Sequence, residues 1–312
     1  MIKVQNIVYT SYRVPDLDKM EAFLTDFGMV RAHRDDKRLY MRGHSDLPYI
    51  TAIEKGEAAF VAPGFSVNSM AELEEAAKLP GASAVEDIDA PGGGKRVSLT
   101  GPDGFRLDLV HGIGKAAPMA VRDPLKVNFA LDKQRVGDLQ RPTNEPAKIF
   151  RIGHCVLKVS NADAAVAWFR DTLGMLVTDR LHLPDDPKMT LGTFLRCNRG
   201  KNPADHHTIL CLQLMPGETP KVHHSSYEVQ DPDAVHIGHY WLKSKGWQNE
   251  WGVGRHLLGS QVFDYWRDPW GHMFEHYADG DLLDETAVAG DYPATQENLA
   301  QWGPEVTPTF FN

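Results

Sequence analysis

At 312 residues, with 42% hydrophobic and 24% charged side chains, the chain has the make-up of an ordinary globular protein with room for two domains. Its formal net charge of -9, with no block of Lys or Arg set against it, excludes the basic footprint that a nucleic acid partner needs. No apolar run approaches the roughly 18 residues that cross a bilayer, and the three scattered cysteines, Cys155, Cys197 and Cys211, support neither a disulfide framework nor a thiolate metal site. The expected setting is the cytoplasm, with no membrane partner, and each cysteine is expected to be a buried small hydrophobe.

The first elements run from Asn6 to Met29. An alternating strand ends near Val14, an Asp-containing turn supplies an N-cap, and the helix that follows closes on Gly28. A second opening, Gly64 through Val67, leads into another helix, short strands and the turn Gly101-Pro102-Asp103-Gly104. Pro91-Gly92-Gly93-Gly94-Lys95 has the look of a phosphate loop, but it precedes a strand, Arg96 to Leu99, and not a helix. A hairpin turn is therefore expected. From Gly114 to Pro146 several prolines and mixed charge with weak periodicity predict a linker, which divides the chain into residues 1–140 and 141–312.

The second half repeats the first. Arg151 to Met175 again reads strand, Asn-containing cap, helix and Gly-Met end, and His223 to Val229 repeats the opening at Gly64 to Val67. Four βαβββ units are implied, two in each half. Anchoring Val159 on Val14, Val229 on Val67 and Gly271 on Gly104 sets His154 opposite Tyr9, His224 opposite Ala62 and Glu275 opposite Asp108. Only the second half can build a metal site from these positions. Histidine usage agrees, since His33, His44 and His111 are the only three before residue 140 and the other eleven of fourteen follow it.

Near the end of the repeat, Val262 to Arg267 has the composition of a strand, Asp268-Pro269-Trp270-Gly271 is a turn, and His272 to Tyr277 reads as the return strand. Tyr265 and Glu275 then lie on adjoining strands, with His256 just upstream. Taken singly, each residue has an ordinary explanation as a packing or surface polar group. Taken with His154 and His224, Glu275 completes two imidazoles and a carboxylate, the donor set of non-haem Fe(II) oxygenases, though zinc hydrolases use the same ligand types. The segment Asp291 to Gly303 reads as a helical tail.

From about residue 5 to 280 the sequence resembles the type I extradiol ring-cleaving dioxygenases of the vicinal oxygen chelate (glyoxalase/bleomycin resistance) superfamily. That family's signature places a histidine after Gly or Asn, then an aliphatic residue and Tyr, then an acidic-Pro-x-Gly turn and a Glu. Gly254, His256, Tyr265, Asp268, Pro269, Gly271 and Glu275 meet it here. Asp264 departs from it, standing where an aliphatic residue is expected, and a buried or interface interaction is anticipated for it.

The resemblance implies an α+β fold of two tandem vicinal oxygen chelate domains, each a curled mixed sheet around a cavity with helices outside. The first domain would lack metal ligands and the second would be catalytic. His154, His224 and Glu275 become the ligands of Fe(II), with Mn(II) as the alternative, His207 the acid/base histidine, and His256 and Tyr265 the pair that holds the substrate oxygens. Of the doublet His206-His207 the pattern favours His207. The implied partners are a catechol and dioxygen, and a homo-oligomer is expected. A glyoxalase-like isomerase or transferase and a non-catalytic binding protein of this fold are the alternatives.

Overall fold

Each half of the chain is written as strand, helix and three strands, twice over. The computed structural model describes residues 2–311. The first half comprises β1 (Val4–Val14), α1 (Leu17–Asp26), β2 (Val30–Arg34), β3 (Arg38–Arg42), β4 (Thr51–Lys55), β5 (Ala59–Val67), α2 (Met70–Ala76), β6 (Glu86–Asp87), β7 (Lys95–Thr100) and β8 (Arg106–His111). The second opens with β9 (Ile149–Val159), α3 (Ala162–Leu173), β10 (Leu176–Leu183), β11 (Asp186–Arg196), β12 (Ala204–Asp205) and β13 (Ile209–Gln213). It continues with β14 (Lys221–Val229), α4 (Pro232–Ser244), β15 (Gln248–Arg255), β16 (Val262–Arg267) and β17 (Met273–Ala278), then β18 (Leu282–Leu283), β19 (Gly290–Pro293) and α5 (Gln296–Leu299).

Local chemistry sets the helix ends. Asp16 accepts from the amides of Asp18 and Lys19 to start α1, and Asn161 accepts from the amide of Ala164 to start α3. Gly174 closes α3 in the left-handed region at φ 67°, a conformation that costs a side-chain-bearing residue energy. Lys95 begins a strand, so the glycine run before it is a turn, as expected.

β1 to β8 form one sheet in the order β2-β3-β4-β1-β5-β8-β7-β6, and the second half forms another in the order β15-β16-β17-β14-β9-β13-β11-β10-β19. The expected α+β architecture of repeated βαβββ units is thus the observed one. The stretch between β8 and β9 holds only an isolated bridge, Asn128 to Lys133. One apolar core runs through both halves, from Phe23 of α1 and Phe27, which caps that helix, to Phe274 of β17. Hydrogen bonds cross there too: Tyr12 to Ser225 at 2.7 Å and Thr10 to Tyr227 at 2.8 Å. All three cysteines are buried.

The tail differs from the expected helix. Gly290–Pro293 pairs in parallel with β10, whose edge offers unpaired backbone groups, and only the single turn Gln296–Leu299 is helical, begun at Thr295 with no side-chain cap.

Candidate metal centre

Strand register brings the three donors together. β14 runs antiparallel to β9 with Ser226 opposite His154, and parallel to β17 with Ser226 opposite Glu275. Side chains two apart on a strand share a face, so His224 joins His154 and Glu275 on one side of three adjacent strands. The first half has the same register, with Gly64 opposite both Tyr9 and Asp108. The internal alignment therefore holds at the backbone.

His154 Nε2 lies 3.1 Å from Glu275 Oε2, His224 Nε2 lies 3.3 Å from the same oxygen, and the two imidazole nitrogens are 3.4 Å apart. A coordination polyhedron with bonds of about 2.0–2.2 Å has edges of about 3 Å, so this triangle is the size of one face. Glu275 is fully buried, and neither of its oxygens is satisfied by a well-formed hydrogen bond. A buried carboxylate left that way is costly unless a cation shares it. The residues present fit a divalent metal. Burial opposes ionisation of Glu275, yet the His154 and His224 rings beside it hold its carboxyl well below the usual range. Burial also pushes His224 down, which favours the neutral imidazole that ligates metal.

His207, His256 and Tyr265 open onto the same pocket. The His207 ring lies 4.0 Å from that of His154, centre to centre, whereas His206 turns away toward Asp179. Burial, then His154 and His206, depress His207 well below its ordinary value. Tyr265 sits opposite Glu275 across the β16–β17 pair. His256 Nδ1 donates to the Leu299 carbonyl at 2.8 Å, so its Nε2 is the acceptor for the Tyr265 hydroxyl at 2.9 Å. Burial and the neighbouring Glu275 push the Tyr265 phenol well up.

Leu181, Phe194, Leu210, Leu212, Leu258, Phe310 and Phe311 give the pocket an apolar lining; no Lys or Arg lines it among the described residues. Strands near opposite ends of the sheet order, β15 at one end and β10 next to the other, both reach it through Trp251 and Leu181. The sheet is therefore curled. On the equivalent side of the first half, Tyr9, Tyr40 and Tyr49 pack together with Ile88 and Val110.

Residues 151–276 match the family model described as Glyoxalase/Bleomycin resistance protein/Dioxygenase superfamily. This region is a domain of that superfamily. Beyond the domain, nearly the whole chain resembles curated relatives. It is 29% identical to "Metapyrocatechase 2" of Cupriavidus necator over 99% of this chain and 91% of that one. It is 26% identical to "Biphenyl-2,3-diol 1,2-dioxygenase" of Paraburkholderia xenovorans, over 97% of this chain and 95% of that one. Among solved structures, the Mn(II)-bound glyoxalase from Novosphingobium aromaticivorans has the same fold, with a TM-score of 0.80 at 24% identity over 100% of this chain and 98% of that one.

Around this pocket the structure adds side chains that sequence reasoning did not assign. His223 Nδ1 is 2.7 Å from His224 Nδ1 and its Nε2 is 2.7 Å from the Phe310 carbonyl. Phe310 also packs on Trp251 and Tyr265. Asp264, fully buried, accepts from His239 at 3.0 Å, from Asn249 at 3.0 Å and from the Trp266 indole. The paired histidines were a signal for His223 and His206. Nothing in the sequence pointed to Asp179 or Phe310.

Proposed function

We propose that this protein is an extradiol dioxygenase that opens the aromatic ring of a catechol with dioxygen, at a metal site made by His154, His224 and Glu275. The observation that carries this reading is that His154 and His224, which share Glu275 between them, line the same largely apolar pocket as His207, His256 and Tyr265. A hydrolytic metal site has no use for that second trio together. The names of the curated relatives, both ring-diol enzymes, support it.

Fe(II), with Mn(II) as the alternative, supplies chelation of the two catechol oxygens and activation of dioxygen beside them. The chain's own groups do the rest. Tyr265 remains a phenol at neutral pH and, with His256, hydrogen-bonds the substrate oxygens as their charge changes. His207, kept neutral by burial and its neighbours, takes up a proton and returns it at the site. The leucines and phenylalanines exclude water that would intercept reactive species. Because no cation lines the pocket, the ring substituent it accommodates is uncharged and apolar. We assign catalysis to residues 141–312 of a cytoplasmic homo-oligomer, with residues 1–140 as a non-catalytic partner module.

Anaerobic loading with Fe(II) or Mn(II), followed by oxygen-uptake assays on alkyl- and aryl-catechols, tests the reading. Uptake with formation of a yellow semialdehyde-type product is expected. No uptake across the panel with either metal would overturn it and return the site to a metal-dependent isomerase or transferase.

A further inference from the structure

His207 is not free to choose which of its nitrogens carries the proton. Its Nδ1 lies 3.1 Å from His206 Nδ1, and His206 Nε2 lies 2.8 Å from Asp179 Oδ2. The other oxygen of Asp179 accepts from the Gly290 amide at 3.0 Å. That contact needs glycine, since a Cβ at Gly290 would stand 2.4 Å from Asp179 Oδ1. His206 and His207 are each only 3% exposed, and the described residues offer His207 Nε2 no hydrogen bond.

We propose that Asp179 and His206 are positioning residues that hold His207 with its proton on Nδ1 and its Nε2 lone pair turned to the metal pocket. A carboxylate only accepts, so His206 Nε2 carries a hydrogen. A neutral imidazole has one N–H, so His206 Nδ1 is an acceptor and the bond to it must be donated by His207 Nδ1. The remaining nitrogen of His207, Nε2, is then the basic atom. The chain of three groups fixes a tautomer as well as an orientation, and the group that takes a proton from the site is ready to do so without rearrangement.

Asp179→Asn makes the sharpest variant. The Gly290 amide still requires an oxygen before it, so the asparagine carbonyl stays there and its NH2 faces His206. Every bond along the chain then reverses: His206 Nε2 accepts, its Nδ1 donates, His207 Nδ1 accepts and His207 Nε2 carries the hydrogen. Loss of the correct tautomer with geometry intact has cost a serine protease about 10⁴-fold in kcat.

The test is a long-range proton–nitrogen correlation of histidine-¹⁵N-labelled full-length protein, metal-free and loaded with diamagnetic Zn(II). Wild type is expected to show His207 protonated at Nδ1, and Asp179→Asn to show it protonated at Nε2. Wild-type His207 protonated at Nε2, as a doubly protonated His206 would impose, overturns the proposal, and that measurement needs no variant to fold. The kinetic consequence rests on the dioxygenase reading. Asp179→Asn should lower kcat about 10²–10⁴-fold with metal content and the KM for catechol unchanged. A reversed tautomer with unchanged kcat refutes the positioning role. Wild type that cleaves no catechol refutes the dioxygenase reading alone, because the tautomer is read independently.

Discussion

The Tyr9 hydroxyl donates to Asp108 Oδ2 at 2.9 Å, and these two residues hold in the first half the places that His154 and Glu275 hold in the second. Here the phenol occupies the position of a ligand, and Asp108 is further satisfied by Ser98 at 2.7 Å and Arg106 at 2.9 Å. Tyr9→Phe removes one of several bonds to Asp108, so it should cost about 1 kcal/mol of stability and leave metal content unchanged. His154→Ala should abolish metal uptake. Elemental analysis beside urea melts checks both, and loss of metal in Tyr9→Phe would contradict the division of roles between the halves.

Asp264 stands where the resemblance expects an aliphatic residue and collects three donors, the buried Trp266 indole, the half-buried His239 ring and the exposed Asn249 amide. Burial pushes its carboxyl up, against the pull of His239. Asp264→Leu would strand the buried Trp266 indole and leave the other two donors to solvent, at a cost of about 1–3 kcal/mol. Asp264→Asn keeps an acceptor and should cost less. Equal melts for the two variants would show that the cluster is not held by this carboxylate.

Much of this was legible in the sequence because the chain carries its own control. A repeated strand, cap, helix and glycine stop fixes register, and register in a sheet fixes which side chains share a face. That is why Tyr9, Ala62 and Asp108 can be set against His154, His224 and Glu275 from the sequence alone. The contacts of Asp179 could not be found that way. It meets His206 from β10, one strand beyond β11, and a contact made by packing between strands so far apart in sequence leaves no local pattern. The Asp291 to Gly303 tail misled for a related reason: its polar, helix-compatible residues say nothing of the open edge of β10 waiting beside them.

Acid should weaken the protein through His276. This ring stacks on Phe27 at 3.9 Å, bonds its carbonyl at 2.7 Å and is pushed by burial down to about 4. The unfolded chain takes a proton near pH 6.5 and the native ring does not, so stability is full above about 6.5 and lost as pH falls toward 4. The loss from this residue approaches about 3 kcal/mol. In metal-free protein, His276→Gln should flatten the plot of unfolding free energy against pH by about one proton across that window.

The tail residue Phe310 gives its carbonyl to His223 and its ring to Trp251 and Tyr265. Phe310→Ala keeps the carbonyl and removes the wall, so it should raise the KM for catechols with metal affinity near wild type. Deleting residues 308–312 removes both. It should weaken metal binding by about 10-fold, because the lost carbonyl orients His223 and His223 in turn holds His224. Chelator competition measures the difference, and equal affinities for the two variants would separate the tail from the metal site.

A pocket without cations should refuse anions. Catechols with alkyl or aryl groups are expected to exceed 3,4-dihydroxyphenylacetate in kcat/KM by about 10²-fold or more, since a desolvated carboxylate would find no partner. Comparable values would mean that the substituent lies in solvent.

No single βαβββ unit owns the donor set. His154 comes from the unit that starts at β9, while His224 and Glu275 come from the one that starts at β14. A metal held by the three would act as a clasp across the seam between two repeats: either repeat expressed alone would lack part of the donor set, and withdrawing the ion should loosen the β9–β14 pairing first. Slow amide exchange along that seam in the loaded protein, quickened by a chelator, would be its signature.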